Sequence, residues 1–97
     1  MDDLAAAAEL LRALASPHRL AIVRALASGP RCVHELVDVL GVSQPLVSQH
    51  LRVLRASHLV RTERRGREIA YSLTDTHVAN IAHDAMVHAT ERELGPQ

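Results

Sequence analysis

The sequence predicts a mainly α domain with a β-hairpin wing, in the order α-α-α-α-β-β-α: a winged helix-turn-helix that forms a homodimer. Three observations lead there. Apolar residues recur at helical spacing through most of the chain and change to alternation only between Leu59 and Leu73. A tight glycine turn, Gly41-Val42-Ser43, separates two of the helical stretches. The last helix carries metal-ligand side chains on one face, spaced so that a single copy cannot bring them together.

Taken in order, Leu4, Ala8, Leu11 and Ala15 give a first helix over residues 3 to 14 with one apolar stripe. Ser16-Pro17 reads as an N-cap followed by proline at the first helical position, and Leu20, Val23, Leu26 and Ala27 continue a second helix until Ser28-Gly29-Pro30 stops it. A third short helix runs from about Val33 to Leu40. Ser43 caps a fourth, whose buried stripe is Val47, Leu51 and Leu54. Residues 33 to 56 are thus the helix-turn-helix. Leu59 to Arg64 and Arg67 to Leu73 are β-like, with Gly66 supplying the hairpin turn, so residues 59 to 73 form the wing. Asp75 opens the last helix, in which Val78, Ala82, Ala85 and Ala89 make a small-residue stripe suited to close approach by a partner helix. Gly95-Pro96-Gln97 ends it.

Ninety-seven residues make one domain, 1 to 97, and a chain of this size buries only about two thirds of its unfolded surface, so dimerisation through the first and last helices stabilises it. Apolar residues reach 47% with Tyr71 the only aromatic of the Phe, Trp and Tyr class, so the core is aliphatic. No apolar run approaches the roughly 20 residues of a membrane span. Met1-Asp2-Asp3 has no basic region ahead of an apolar stretch, and Cys32 stands alone, so the expectation is a cytoplasmic protein with no membrane partner. The net charge of zero hides a segregation: residues 44 to 67 carry six arginines against Glu63, and residues 68 to 97 carry five carboxylates against Arg92. One surface suits polyanions and another suits cations.

The fourth helix keeps Gln44, Ser48, Gln49, Arg52 and Arg55 off its apolar stripe, as a helix lying in a DNA major groove requires. Ser43, Gln44, Pro45, Ser48, Gln49, His50 and Arg52 are the candidate DNA-facing residues of this segment, joined by Arg64, Arg65 and Arg67 of the wing. Amides and hydroxyls there serve base edges or phosphate, and the arginines serve phosphates or the adjacent minor groove. The expected partner is double-stranded operator DNA.

His77 and His88 are eleven residues apart, close to three turns, so they project the same way but stand roughly 16 Å apart. An antiparallel second copy would bring His77 of one chain beside His88 and Glu91 of the other, with Asp75 as the fourth ligand and symmetry making two sites. Two imidazoles and two carboxylates suit Zn2+, with Co2+ and Ni2+ also open, and the absence of a thiolate argues against copper(I) and cadmium. His83 lies about 140° around the helix from His88 and falls off this face, whereas Asp84 falls on it.

In these residues the chain resembles the ArsR/SmtB family of winged-helix metal-sensing repressors, from about Glu9 to Arg92. Asp75, His77, His88 and Glu91 match the family's C-terminal-helix pattern of D-x-H, ten residues, then H-x-x-E or H. Residues 42 to 55 look like its DNA-reading helix, and Arg65 to Tyr71 like its wing. The resemblance implies a metal-free dimer that represses and a metal that weakens its grip on the operator. Cys32 and Glu35 stand at ligand-like positions of a second family site, but no Cys or His precedes His18, so Cys32 reads as a small, partly buried thiol. The segment Ser48-Gln49-His50 replaces the serine, histidine, glutamine of several relatives, at the residue that links metal site to DNA helix. His18, His34 and His58 read as surface or capping residues. The competing readings are a winged-helix repressor of a non-metal signal and a metal-storage or metallo-hydrolase module. The second is disfavoured because four protein ligands leave no position for water.

Overall fold

The computed structural model describes residues 2–94, and these form α1 (Asp2–Leu14), α2 (Pro17–Leu26), β1 (Arg31–Cys32), α3 (Val33–Leu40), α4 (Gln44–Ala56), β2 (Val60–Arg65), β3 (Glu68–Leu73) and α5 (Thr76–Leu94). Helix starts obey the capping chemistry. Ser16 Oγ accepts the Arg19 N–H at 3.2 Å with Pro17 opening α2, and Ser43 Oγ accepts the Leu46 N–H at 3.4 Å at the head of α4. Asp75 Oδ1 does the same for the Val78 N–H at 3.2 Å, fixing the start of α5. Between α3 and α4, Gly41 takes φ 69° and returns its N–H to the Val37 carbonyl at 2.8 Å, the left-handed stop that lets the two helices fold back on each other. The expected stop at Gly95-Pro96-Gln97 lies outside the described residues.

The end of α4 has a different stop. The Leu59 N–H reaches the Leu54 carbonyl at 2.9 Å and the His58 N–H reaches Arg55 at 3.0 Å, a Schellman motif with His58 in the left-handed region at φ 59°. Leu54 and Leu59, both buried, supply its apolar contact. Because Leu59 completes this cap, the strand begins one residue later than the alternation predicts.

β2 and β3 pair antiparallel from Val60↔Leu73 to Arg65↔Glu68, leaving Gly66-Arg67 as a two-residue loop with Gly66 at φ 64°. The third strand, β1, was not visible in the sequence. It pairs Arg31 with Tyr71 and Cys32 with Ala70, giving the sheet order β1-β3-β2 and fastening the base of the wing to the head of α3.

Leu26, Leu36, Val47, Leu51, Leu54, Leu59 and Val60 meet beneath the helix-turn-helix, with Ile22 and Val23 of α2 between them and α5. Full burial of each such side chain contributes about 1.5–3 kcal/mol, so the helices are held mainly by this shared core. No buried polar or charged side chain occurs in it among the described residues. The small-residue stripe of α5 corrects one expectation. Val78 and Ala82 are 3% and 1% exposed because α5 packs on α2 and β3, so this part of the stripe faces its own fold, and only Ala85 and Ala89 remain open.

Candidate nucleic-acid interface and metal-ligand face

With Val47, Leu51 and Leu54 pinned in the core, the opposite face of α4 is open to solvent. Gln44, Gln49, Arg52 and Arg55 are exposed there, Ser48 is half-buried, and Ser43 and Pro45 are exposed at the helix start. Arg64, Arg65 and Arg67 are exposed at the hairpin tip. A positive stripe therefore runs beside a row of neutral hydrogen-bonding side chains, the division of labour between phosphate and base contacts.

His50 departs from the expected arrangement. It is half-buried on the side of α4 that meets α2, with Nδ1 3.2 Å from Arg19 Nη1 and its ring centroid 5.3 Å from that of His18. Burial, then the charges of Arg19 and His18, hold its basicity below the usual imidazole range. Arg19 carries no sequence signal of its own, since the partner that defines it lies 31 residues away.

On α5, His77, His88 and Glu91 are exposed, as is Asp75 just before the helix. Their face lies away from buried Val78 and Ala82, and Ile81 and Asp84 occupy the same row between the histidines. Within one chain no three metal-type side chains converge among the described residues, as their separation along the helix requires. The Asp75 carboxylate has one oxygen committed to the helix cap and is thereby fixed at the head of the row. His83, off this row, lines a shallow groove with Arg24, Met86 and Glu91.

Cys32 is 3% exposed and donates from Sγ to Glu68 Oε1 at 3.6 Å, while burial and that carboxylate push its thiol up from the ordinary value. Glu35 Oε1 accepts the Cys32 N–H at 2.7 Å, the contact that chiefly holds its carboxyl below the usual range. His34 Nδ1 pairs with Glu68 Oε2 at 3.2 Å. The Cys32 thiol and His34 thus hold the head of α3 to Glu68 of β3, while Glu35 closes a capping box on the first turn of α3.

An exposed polar recognition helix, a basic hairpin beside it and a shared apolar core define a winged helix-turn-helix regulator of transcription. The profile of bacterial regulatory proteins of the arsR family matches residues 16–62. The chain is 60% identical over 90 residues to the transcriptional repressor SmtB of Mycobacterium tuberculosis, covering 93% of this chain and 67% of that protein. Its fold matches the solution structure of apo-NmtR with a TM-score of 0.76 at 44% identity, over 99% of this chain and 81% of that one. It also matches a homodimeric winged helix-turn-helix DNA-binding domain from Mycobacterium bovis with a TM-score of 0.82 at 30% identity, over 92% and 82%. This chain belongs to the arsR family, and like its relatives it is a DNA-binding regulator and not an enzyme. No helix among the described residues is long and apolar enough to cross a membrane.

Proposed function

We propose that two copies of this chain form a repressor whose hold on operator DNA is weakened by a divalent metal, zinc being the best fit to the donor set. The observation that carries this reading is the exposed row Asp75, His77, His88 and Glu91, aligned on α5 away from its core-packed side. Support for the dimer comes from large apolar side chains left open on the first and last helices: Leu4 and Leu11 are 63% and 53% exposed, and Ile81 and Val87 are 36% and 39% exposed. A second copy laid antiparallel on α5 would cover Ile81 and bring each His77 toward the partner's opposite end of the row.

His77 with Asp75 from one chain, and His88 with Glu91 from the other, would hold the metal. When bound, a divalent cation supplies a charge that the four donors of two chains share. The ligand side chains then clamp one α5 against the other. Because α5 packs on α2, and α2 packs on α4, a change in the angle between paired α5 helices carries both recognition helices with it. Gln44, Ser48 and Gln49 of the two copies must sit in successive major grooves to read base edges, so the clamped geometry binds operator less well.

A titration of the purified protein with zinc, following operator affinity, tests this. Saturating metal should weaken operator binding about 5- to 150-fold, the range of a coupling of roughly 1–3 kcal/mol, and operator should weaken zinc binding by the same factor. Unchanged operator affinity at saturating zinc would make the α5 row structural and move the reading to a winged-helix repressor of a non-metal signal.

A further inference from the structure

We propose that Arg19 is a positioning residue for operator recognition, bolting the middle of α4 to the end of α1 through the imidazole of His50. The inference rests on the repressor reading and adds to it a part that touches neither DNA nor metal.

The side chain of Arg19 bridges three helices. It leaves the first turn of α2, where its backbone N–H is held by Ser16 Oγ. Its Nε donates to the Ala13 carbonyl in the last turn of α1, and its Nη1 lies 3.2 Å from His50 Nδ1. A guanidinium has donors only and stays charged, so Nδ1 must be the acceptor. That requirement fixes His50 as the neutral tautomer with its proton on Nε2. His50 is adjacent to Gln49 and two residues from Ser48, so a shift of its ring is felt first by side chains placed to read bases. The Ala13 end of the bolt belongs to the helix expected to join the dimer, so the same contact relates recognition helix to dimer frame.

The charged or titratable groups that act on His50 are Arg19 and His18, both on α2, while α1 contributes the Ala13 carbonyl to the cluster. Neither favours an imidazolium. Protonation removes the acceptor and sets a cation against the guanidinium, so the bolt holds at neutral pH and opens only in acid, at a pH below the ordinary imidazole range. The sign of the consequence is distinctive. Added positive charge tightens DNA binding in general, whereas here acid weakens the sequence-specific part.

The test uses the full chain in chelator, a duplex selected from a random-sequence pool at pH 7.5, and a random duplex of equal length, with affinity for each measured from pH 7.5 to 4.5. The parent's preference for the selected duplex should fall as His50 takes up its proton, by at most about tenfold for each pH unit below its lowered titration range. His50→Gln keeps a neutral acceptor for Arg19 at every pH, so it should retain the preference at pH 7.5 and lose the pH step. Arg19→Ala should lose preference at pH 7.5, with its fold checked by circular dichroism. If His50→Gln reproduces the parent's pH profile, or the parent's preference is flat to pH 4.5, the bolt is wrong. A parent with no preference for the selected duplex at pH 7.5 would overturn the repressor reading itself, and the bolt with it.

Discussion

His58 occupies the left-handed region at φ 59°, a conformation that glycine adopts freely and that strains a residue with a Cβ. The surroundings hold it there: Thr74 Oγ1 donates to the His58 carbonyl at 3.0 Å, and the cap bonds of His58 and Leu59 close the end of α4. His58→Gly relieves about 1–2 kcal/mol of left-handed strain and loses about 0.5–1 kcal/mol to the added freedom of the unfolded chain, so it should stabilise the fold by about 0.5–1 kcal/mol. Urea unfolding of the two proteins measures this, and a destabilised variant would show that the imidazole contributes more than its backbone strain costs. The sequence left His58 as a surface or capping residue and gave no sign of a left-handed cap. Ser16, Ser43 and Asp75 were legible as caps because N-capping is written in the residue type, whereas a left-handed histidine depends on the burial of Leu59 against Leu54.

Among the elements, α4 and the β2–β3 hairpin were readable because each carries its own period and its own turn glycine. β1 was not readable. Two residues have no period, and their pairing with Ala70 and Tyr71 is settled only when the chain has folded. The same dependence hid the contacts of Cys32 and His34 with Glu68, and the turn of His50 toward Arg19. Arg64, Arg65 and Arg67, exposed at the tip of the hairpin, are the residues we propose to contact phosphates. Replacing one of them with alanine should reduce the slope of log affinity against log salt by roughly one and weaken operator and random DNA alike. A variant that keeps the parent's slope but changes the preferred base would assign the wing to direct base reading.

For the whole molecule, the chain makes a core on one side of α5 and leaves a row of ligand-type side chains on the other, while α2 connects α5 to the recognition helix. The row was legible at once from the eleven-residue interval between His77 and His88. The expectation that Val78 and Ala82 face a partner failed because periodicity identifies a stripe and not what covers it. Each metal is proposed to be shared by two chains, which mixed dimers can show. A dimer pairing a His77→Ala chain with a His88→Ala chain retains His77 on one copy and His88 on the other, so ligands shared across the interface leave one complete site. One zinc ion should bind tightly per mixed dimer and none in either mutant homodimer. No tight zinc in the mixed dimer would place each site within one chain, and two would show that the histidines are not the ligands.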